Sequence, residues 1–391
     1  MMNFLSSLCV DVVGVNEGLE LSLDPNWHLS RWLEKNPCDV YLVEFHWYEH
    51  LAGALRISDL CKATWPRCAV AVGGLSASIM PDLVIGHCAA DVVTRSPFFD
   101  DLANLQGLGW AREALSTFSR SYLDSGDFLT LDWLENDRAY LQTEMDGTRS
   151  PIEALWLPIA RGCTHRCFHC GGNADMFHEM YGTSFILRDP EVLNRDVERL
   201  TLMGVRQARL SHDISIMPAS WLERLHGHKE LGIYNEFYQI PSRTDAAKLS
   251  AIFNIRHSQM ELVPLSGHEE TRREFSKYFT NEQLTGAVSM LIGCGYSVDV
   301  YFSPNIGHDV EEAFRYTLAL ADALKRRFPS GLTLTCRPLR VDPFTRLARQ
   351  YGDYRERVLA DACGVTTALT HGDAEKVMKM LEVWNSQHSV P

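Results

Sequence analysis

The sequence predicts an α/β chain: a smaller parallel-sheet domain followed by a longer run of strand–helix units forming a parallel barrel, complete or partial. Two observations predict it. Short apolar runs alternate with helical patterns along most of the chain, which favours parallel sheets with covering helices. A polar, irregular stretch at 119–150 interrupts that alternation and places a domain junction there. At 391 residues the chain exceeds one ordinary domain of about 100–200 residues, so two cores are expected.

In the first domain, assigned to 1–118, DVYLVEF (39–45) and CAVAV (68–72) read as buried strands, with ISDLCKATW as part of the helix between them. ADVV (90–93) follows, then a helix from about Phe98. Beyond the 119–150 linker, candidate strands are ALWLPIA (154–160), RQARLSH (206–212), IYNEFYQI (233–240), QMELVPL (259–265), SVDVYFS (297–303) and LTLTCR (332–337). Asp189-Pro190 opens a helix as N-cap and first residue, placing Leu193, Val197 and Leu200 on one face. Thr280-Asn281-Glu282-Gln283 has capping-box form and opens a helix with Leu284, Val288 and Leu291 on one face. Six such units fill 151–345, and 346–391 reads as a helical extension. In parallel barrels the chemistry sits on loops at the C-terminal ends of the strands.

A hydrophobic fraction of 46% and a charged fraction of 22% fit a globular protein. The net charge of −13 would repel a phosphate backbone, which argues against a nucleic-acid partner. No apolar run approaches the roughly 18 residues of a membrane span, and the first residues lack a basic n-region before their apolar stretch, so a cytoplasmic protein without a membrane partner is expected. Of eleven cysteines, eight are scattered singly and three lie within eight residues. That pattern is unlike a secreted disulfide framework, and it implies a reducing compartment with a metal at the crowded three.

The crowded segment runs Arg161-Gly162-Cys163-Thr164-His165-Arg166-Cys167-Phe168-His169-Cys170-Gly171-Gly172, directly after the first strand of the second domain. Three thiolates at C-x3-C-x2-C can hold three corners of a 4Fe-4S cubane, leaving one iron without a protein ligand. The competing reading is a Cys3His zinc site using His165 or His169, although zinc sites usually pair C-x2-C with a distant second pair, which is missing here.

At these residues the chain resembles the radical S-adenosylmethionine (SAM) superfamily, whose signature is C-x3-C-x-aromatic-C after the first strand of a partial (β/α)6 barrel. The resemblance spans roughly 150–350. It implies that SAM binds the open iron, is cleaved reductively to a 5′-deoxyadenosyl radical, and initiates chemistry on a small-molecule substrate with electrons from a flavodoxin- or ferredoxin-like donor. It also implies SAM contacts from His169, Gly171 and Gly172, from Ser211 and Asp213 after the second strand, from Gln239 and Arg243 after the third, and from Ser266 after the fourth. Glu269 and Arg272, in GHEETRREFSKYFT, read as helix-start architecture. Asp342-Pro343-Phe344-Thr345 is similar to a turn of the cobalamin-associated branch, with Phe344 where glycine is usual.

VAVGGLSAS (70–78) followed by ADVV is similar to the second half of the Rossmann-like cobalamin-binding domain that precedes many radical SAM barrels. This implies cobalamin contacts from Gly73, Gly74 and Ser76. The family's D-x-H-x-x-G loop has no room before Asp39, His50-Leu51-Ala52-Gly53 carries Tyr48 in the aspartate's place, and Thr94-Arg95-Ser96-Pro97 replaces the usual G-E-x-E. A bound cobalamin is therefore expected to lack a protein histidine on cobalt, and a domain that binds nothing is the alternative. His178, Tyr181, Trp47 and Tyr48 are candidate pocket aromatics. The expected reaction is C-methylation or a radical rearrangement, ring formation or sulfur insertion in specialised biosynthesis. The alternatives are a cobalamin-independent isomerase, dehydrogenase or lyase, and a zinc-binding interaction protein.

Overall fold

The computed structural model describes residues 11–46, 50–94, 102, 105, 109, 112–116, 144–145, 148–149, 154–182, 185–339, 345–348 and 374–388. Trp47, Tyr48, the segment 95–100, most of the linker and Asp342-Pro343-Phe344 lie outside them. The chain divides into two compact units. One comprises Met1–Pro151, Met176–Ile186 and Asp353–Thr366; the other comprises Ile152–Asp175, Leu187–Gly352 and Thr367–Pro391.

The first unit holds a parallel sheet of β1 (Val40–Glu44), β2 (Ala69–Gly73) and β3 (Val92–Val93), in that order. The run AVAV of β2 is buried throughout, as expected of a parallel strand covered on both faces. Parallel neighbours need crossovers. α1 (Leu51–Thr64) supplies the first, burying Leu51, Ala54, Ser58 and Cys61 at helical spacing. α2 (Leu75–Ile79) and α3 (Pro81–His87) supply the second.

The second unit begins with β4 (Ala154–Leu157) and the short strand β5 (Ala160–Gly162). The single strand expected over 154–160 is split because Pro158 has no N–H to give a ladder. After α4 (Ala174–Tyr181), of which Met176 onward belongs to the first unit, come α5 (Pro190–Leu202), β6 (Gln207–Leu210), β7 (Gly232–Phe237), α6 (Arg243–Ile252), β8 (Gln259–Leu265), α7 (Glu269–Glu274), α8 (Asn281–Gly293), β9 (Ser297–Phe302), α9 (Val310–Arg327), β10 (Leu332–Cys336) and α10 (Ala374–His388). The sheet order β10-β9-β8-β7-β6-β4 follows the chain, and every neighbouring pair is parallel. All six strands therefore end at the same edge.

The helix starts are those the sequence predicts. Asp189 caps α5 by accepting from Glu191 N at 2.7 Å, and Leu193, Val197 and Leu200 are buried. Thr280 and Gln283 close the capping box of α8, whose Leu284, Val288 and Leu291 are inaccessible. Along β7, β8 and β9 the two faces differ. Ile233 and Phe237, Met260 and Leu262, and Val298, Val300 and Phe302 form an apolar layer. The alternate positions carry Tyr234, Glu236, Glu261, Asp299 and Tyr301.

Arg188, fully buried, pairs with Asp196 on α5 and donates to the Pro158 carbonyl at 3.0 Å. Removing one member of a buried pair leaves the other charge uncompensated. Arg188→Ala is expected to cost about 3–5 kcal/mol in denaturant unfolding; a loss below about 1 kcal/mol would show that Asp196 is sufficiently held by Arg199, which approaches it at 3.4 Å.

Candidate metal centre and active site

The cysteine loop leaves β5 at Gly162, whose φ of +80° is costly for any other residue. Cys163, Cys167 and Cys170 are half-buried, and none is in a disulfide. The Cys170 N–H donates to the Cys167 carbonyl at 3.3 Å, which folds the C-x2-C segment into a turn. Asn173, buried, clamps that turn: its Nδ2 donates to the carbonyls of Cys167 at 3.1 Å and Cys170 at 2.6 Å. Its Oδ1 accepts from Asp175 N at 3.0 Å and caps α4.

Two residues, one beyond the end of β7 and one beyond α7, interact electrostatically with the cysteines: Tyr238 with Cys163 and Cys170, and Lys277 with Cys167. Tyr238 is pushed up by burial first and then by Glu236, Cys163, Asp213 and Cys170 around it. Lys277 is 5% exposed; burial lowers its pKa, opposed by Cys167, Glu236, Asp213 and Glu261. Its Nζ donates to the Tyr238 carbonyl at 2.9 Å, so the neighbours of the three cysteines are themselves joined. Burial raises the Cys163 and Cys167 thiols. His169 packs against Phe168 and Phe275 with ring centroids 5.8 and 5.5 Å away, an aromatic wall held neutral by burial, which lowers its pKa to about 4. His165 Nε2 and His169 Nδ1 are buried without a hydrogen-bond partner among the described residues. No three His, Cys, Asp or Glu side chains among those residues converge as ligands of one ion. Cubane thiolates bind separate irons and need no such convergence.

Several of the predicted SAM-contact residues take part in internal hydrogen bonds. Asp213, 1% exposed, accepts from Ser215 N, Ser215 Oγ, Tyr238 N and Asn235 Nδ2, so it ties the end of β6 to that of β7. Ser266 is buried and accepts from His268 N at 3.0 Å. Ser211 Oγ accepts from Ile159 N at 3.1 Å and meets His212 Nδ1 at 2.7 Å, while His212 Nε2 meets the Gly162 carbonyl at 2.5 Å. Gln239 is exposed and donates to Ser276 O at 3.2 Å. Arg243 is exposed at the start of α6. Gly171 is buried and Gly172 half-buried in the turn before Asn173. Glu269 and Arg272 are architectural: Arg272, fully buried, donates to Ser266 O and Phe279 O, and Glu269 accepts from Asn281 N. His178 is exposed on α4.

In the first unit, Gly73 and Gly74 are required by protein atoms. A Cβ on Gly73 would stand 2.5 Å from Thr94 Oγ1, and one on Gly74, at φ +121°, would stand 2.6 Å from the Phe45 carbonyl. Ser76 is 1% exposed and its hydroxyl donates to His46 O at 2.8 Å. Internal packing thus accounts for all three.

Three site features escape the sequence reading. Asn173 has a readable signal, a capping residue before a helix. Glu261 has one too, a charge inside an apolar strand. Lys277 has none.

No family model and no curated protein matches the sequence. Among solved structures, the chain is similar to the radical S-adenosylmethionine methyltransferase TsrM from Kitasatospora setae with cobalamin and a 4Fe-4S cluster bound: 14% identity, TM-score 0.60, 91% of this chain and 74% of that one. The same enzyme with tryptophan substrate and the SAM analogue aza-SAM gives 13% identity and TM-score 0.57 over 89% and 71%. At such identity the likeness establishes the fold, a mixed α/β architecture with parallel sheets shared with a cobalamin-binding radical SAM enzyme. Among the described residues no helix is long and apolar enough to cross a membrane.

Glu261 provides a pH test. Burial first, then Asp299, raises its pKa from 4.5 to about 7. The folded state thus keeps a proton that the unfolded state releases, and stability falls as pH rises from about 4.5 through 7. Glu261→Gln is expected to raise stability near pH 8, by at most about 3 kcal/mol at 1.36 kcal/mol per unit, and to change little near pH 4. Melting curves at the two pH values check this, and equal shifts at both would contradict it.

Proposed function

We propose that this protein is a radical SAM enzyme acting on a small molecule, with Cys163, Cys167 and Cys170 holding a 4Fe-4S cluster on a partial barrel formed by the six-stranded sheet. The observation that carries this reading is the presence of three half-buried thiols, free of disulfides, on one loop after the first strand of a chain-ordered parallel sheet. The imidazole nitrogens of His165 and His169 that lack a partner among the described residues fit the same reading, since a bound cluster or nucleotide would offer them polar partners.

When bound, the cluster supplies the electron that cleaves SAM, and the open iron supplies its anchoring point. The chain's own residues position and shield. Asn173 sets the loop, His169 with Phe168 and Phe275 forms an apolar wall, and Lys277 places positive charge beside Cys167. Gly172, Gln239 and Arg243 are the accessible candidates for SAM contact, whereas Gly171 is buried in the turn and Ser211, Asp213 and Ser266 hold the strand ends in place. Because burial raises the Cys163 and Cys167 thiols, metal loading releases protons and strengthens with pH.

Cobalamin in the first unit is supported by the fold resemblance alone. The similar enzyme is a methyltransferase with a tryptophan substrate, which makes methyl transfer to a small molecule the first reaction to assay. A cobalamin-independent reading is favoured by one observation, the internal packing that accounts for Gly73, Gly74 and Ser76.

Replacing Cys163, Cys167 or Cys170 by Ala is expected to abolish bound iron at cluster stoichiometry and 5′-deoxyadenosine formation from SAM under reducing, anaerobic conditions. Unchanged rates in any of the three variants would refute the cluster assignment, and zinc without iron in the native protein would replace it with a structural metal. Anaerobic protein exposed to hydroxocobalamin and desalted is expected to keep one corrinoid by its visible absorption; no retained corrinoid selects the cobalamin-independent reading.

A further inference from the structure

The polar face of the six-stranded sheet carries an acidic row that the cysteine loop does not explain. Glu236 on β7, Glu261 on β8 and Asp299 on β9 are successive register partners. Side chains at one register on neighbouring strands, about 4.8 Å apart, point to the same face. Like charges so placed are destabilising unless something compensates them.

Compensation within the described residues is uneven. Asp299 accepts from Thr335 Oγ1, at 3.0 Å to each carboxylate oxygen. Glu261 is 9% exposed and has neither a hydrogen bond nor an ion pair to any described residue. Glu236 likewise has none. Glu236 is exposed, and desolvation by the protein around it raises its pKa. The cations nearby act from a distance. Arg209 on β6 stacks over Tyr234 at 4.1 Å, Lys277 donates to the Tyr238 carbonyl, and Arg337 is exposed beyond β10. None forms an ion pair with Glu236 or Glu261.

Among the described residues, no positively charged side chain therefore donates a hydrogen bond to Glu236 or Glu261. An ionised carboxylate is acceptor-only, with about four lone-pair sites, and burying it unpaired is expensive. A metal ion would need converging ligands, and no three acidic, His or Cys side chains among the described residues converge as ligands of one ion. An anionic or neutral ligand would leave the carboxylates uncompensated.

We propose that Glu236 and Glu261, backed by Asp299, bind the protonated amino group of a small molecule on the polar face of this sheet. Naming that molecule the substrate rests on the radical SAM reading; the binding itself does not. A bound ammonium favours ionised Glu261, which faces Asp299, Arg209, Arg337 and Lys277. Binding therefore weakens as acid protonates Glu261.

The test uses cluster-reconstituted full-length protein and three probes of matched size: phenethylamine, 3-phenylpropionate and 3-phenylpropionamide. Saturation-transfer NMR at millimolar probe is expected to detect the amine and neither of the others. Glu261→Gln and Glu236→Gln should each weaken amine binding about tenfold, with circular dichroism and iron content unchanged. Equal binding of the carboxylate or the amide, no amine binding, displacement of the amine by Mg²⁺ or Ca²⁺, or full amine binding in the double variant each overturns the proposal. Amine binding that persists in Cys163→Ala supports the site whatever becomes of the cluster. Native protein that binds the amine but never cleaves SAM would remove the radical reading and leave this one standing.

Discussion

In a parallel sheet whose strands follow chain order, every strand ends at the same edge, and the side-chain period of two assigns each residue to one face. That constraint organises the second unit. The five parallel pairings bring the ends of β4, β6, β7 and β8 to one edge, although up to about a hundred residues separate them in sequence. They also stack Glu236, Glu261 and Asp299 side by side, while Phe237, Leu262 and Val300, one position on, pack into the opposite apolar layer. A one-residue slip of any strand would exchange the two sets, so burial of the apolar layer is what holds the polar face in register.

At the shared edge, much of the polar chemistry is devoted to geometry. Asp213 joins two strand ends, Arg272 ties the segment after β8 to the start of α8, and Asn173 clamps the turn between two cysteines. Such residues are buried and saturated with hydrogen bonds. Other groups are of another kind: free thiols and, among the described residues, two unpartnered imidazole nitrogens and two carboxylates without donors. Preorganisation of this sort separates residues that hold a site from residues that act in it.

The first unit makes the complementary point. Its Gly-Gly turn has the sequence form of a cofactor-binding loop, but each glycine is accounted for by a neighbouring protein atom, Thr94 Oγ1 or the Phe45 carbonyl. A tight strand-to-helix turn and a ligand cradle place the same demand on the backbone, so glycine alone does not tell them apart.

Much was legible in the sequence because it is local. Cysteine spacing, the capping residues Asp189 and Thr280, and apolar periodicity depend on residues a few positions apart, and the helix starts and parallel strands follow from them. The split of the first strand at Pro158 was also a local signal, outweighed by the apolar run around it. What neighbours what across the sheet was not legible, because register is set by the summed burial of strands distant in sequence. Sequence alone therefore determined the cysteine loop and the alternation of strands with helices. Only the tertiary structure decided that Asp213 and Ser266 hydrogen-bond within the strand ends, that Lys277 interacts electrostatically with Cys167, and that Glu261 is buried without a hydrogen-bond partner among the described residues, since each depends on contacts between separate strands and loops.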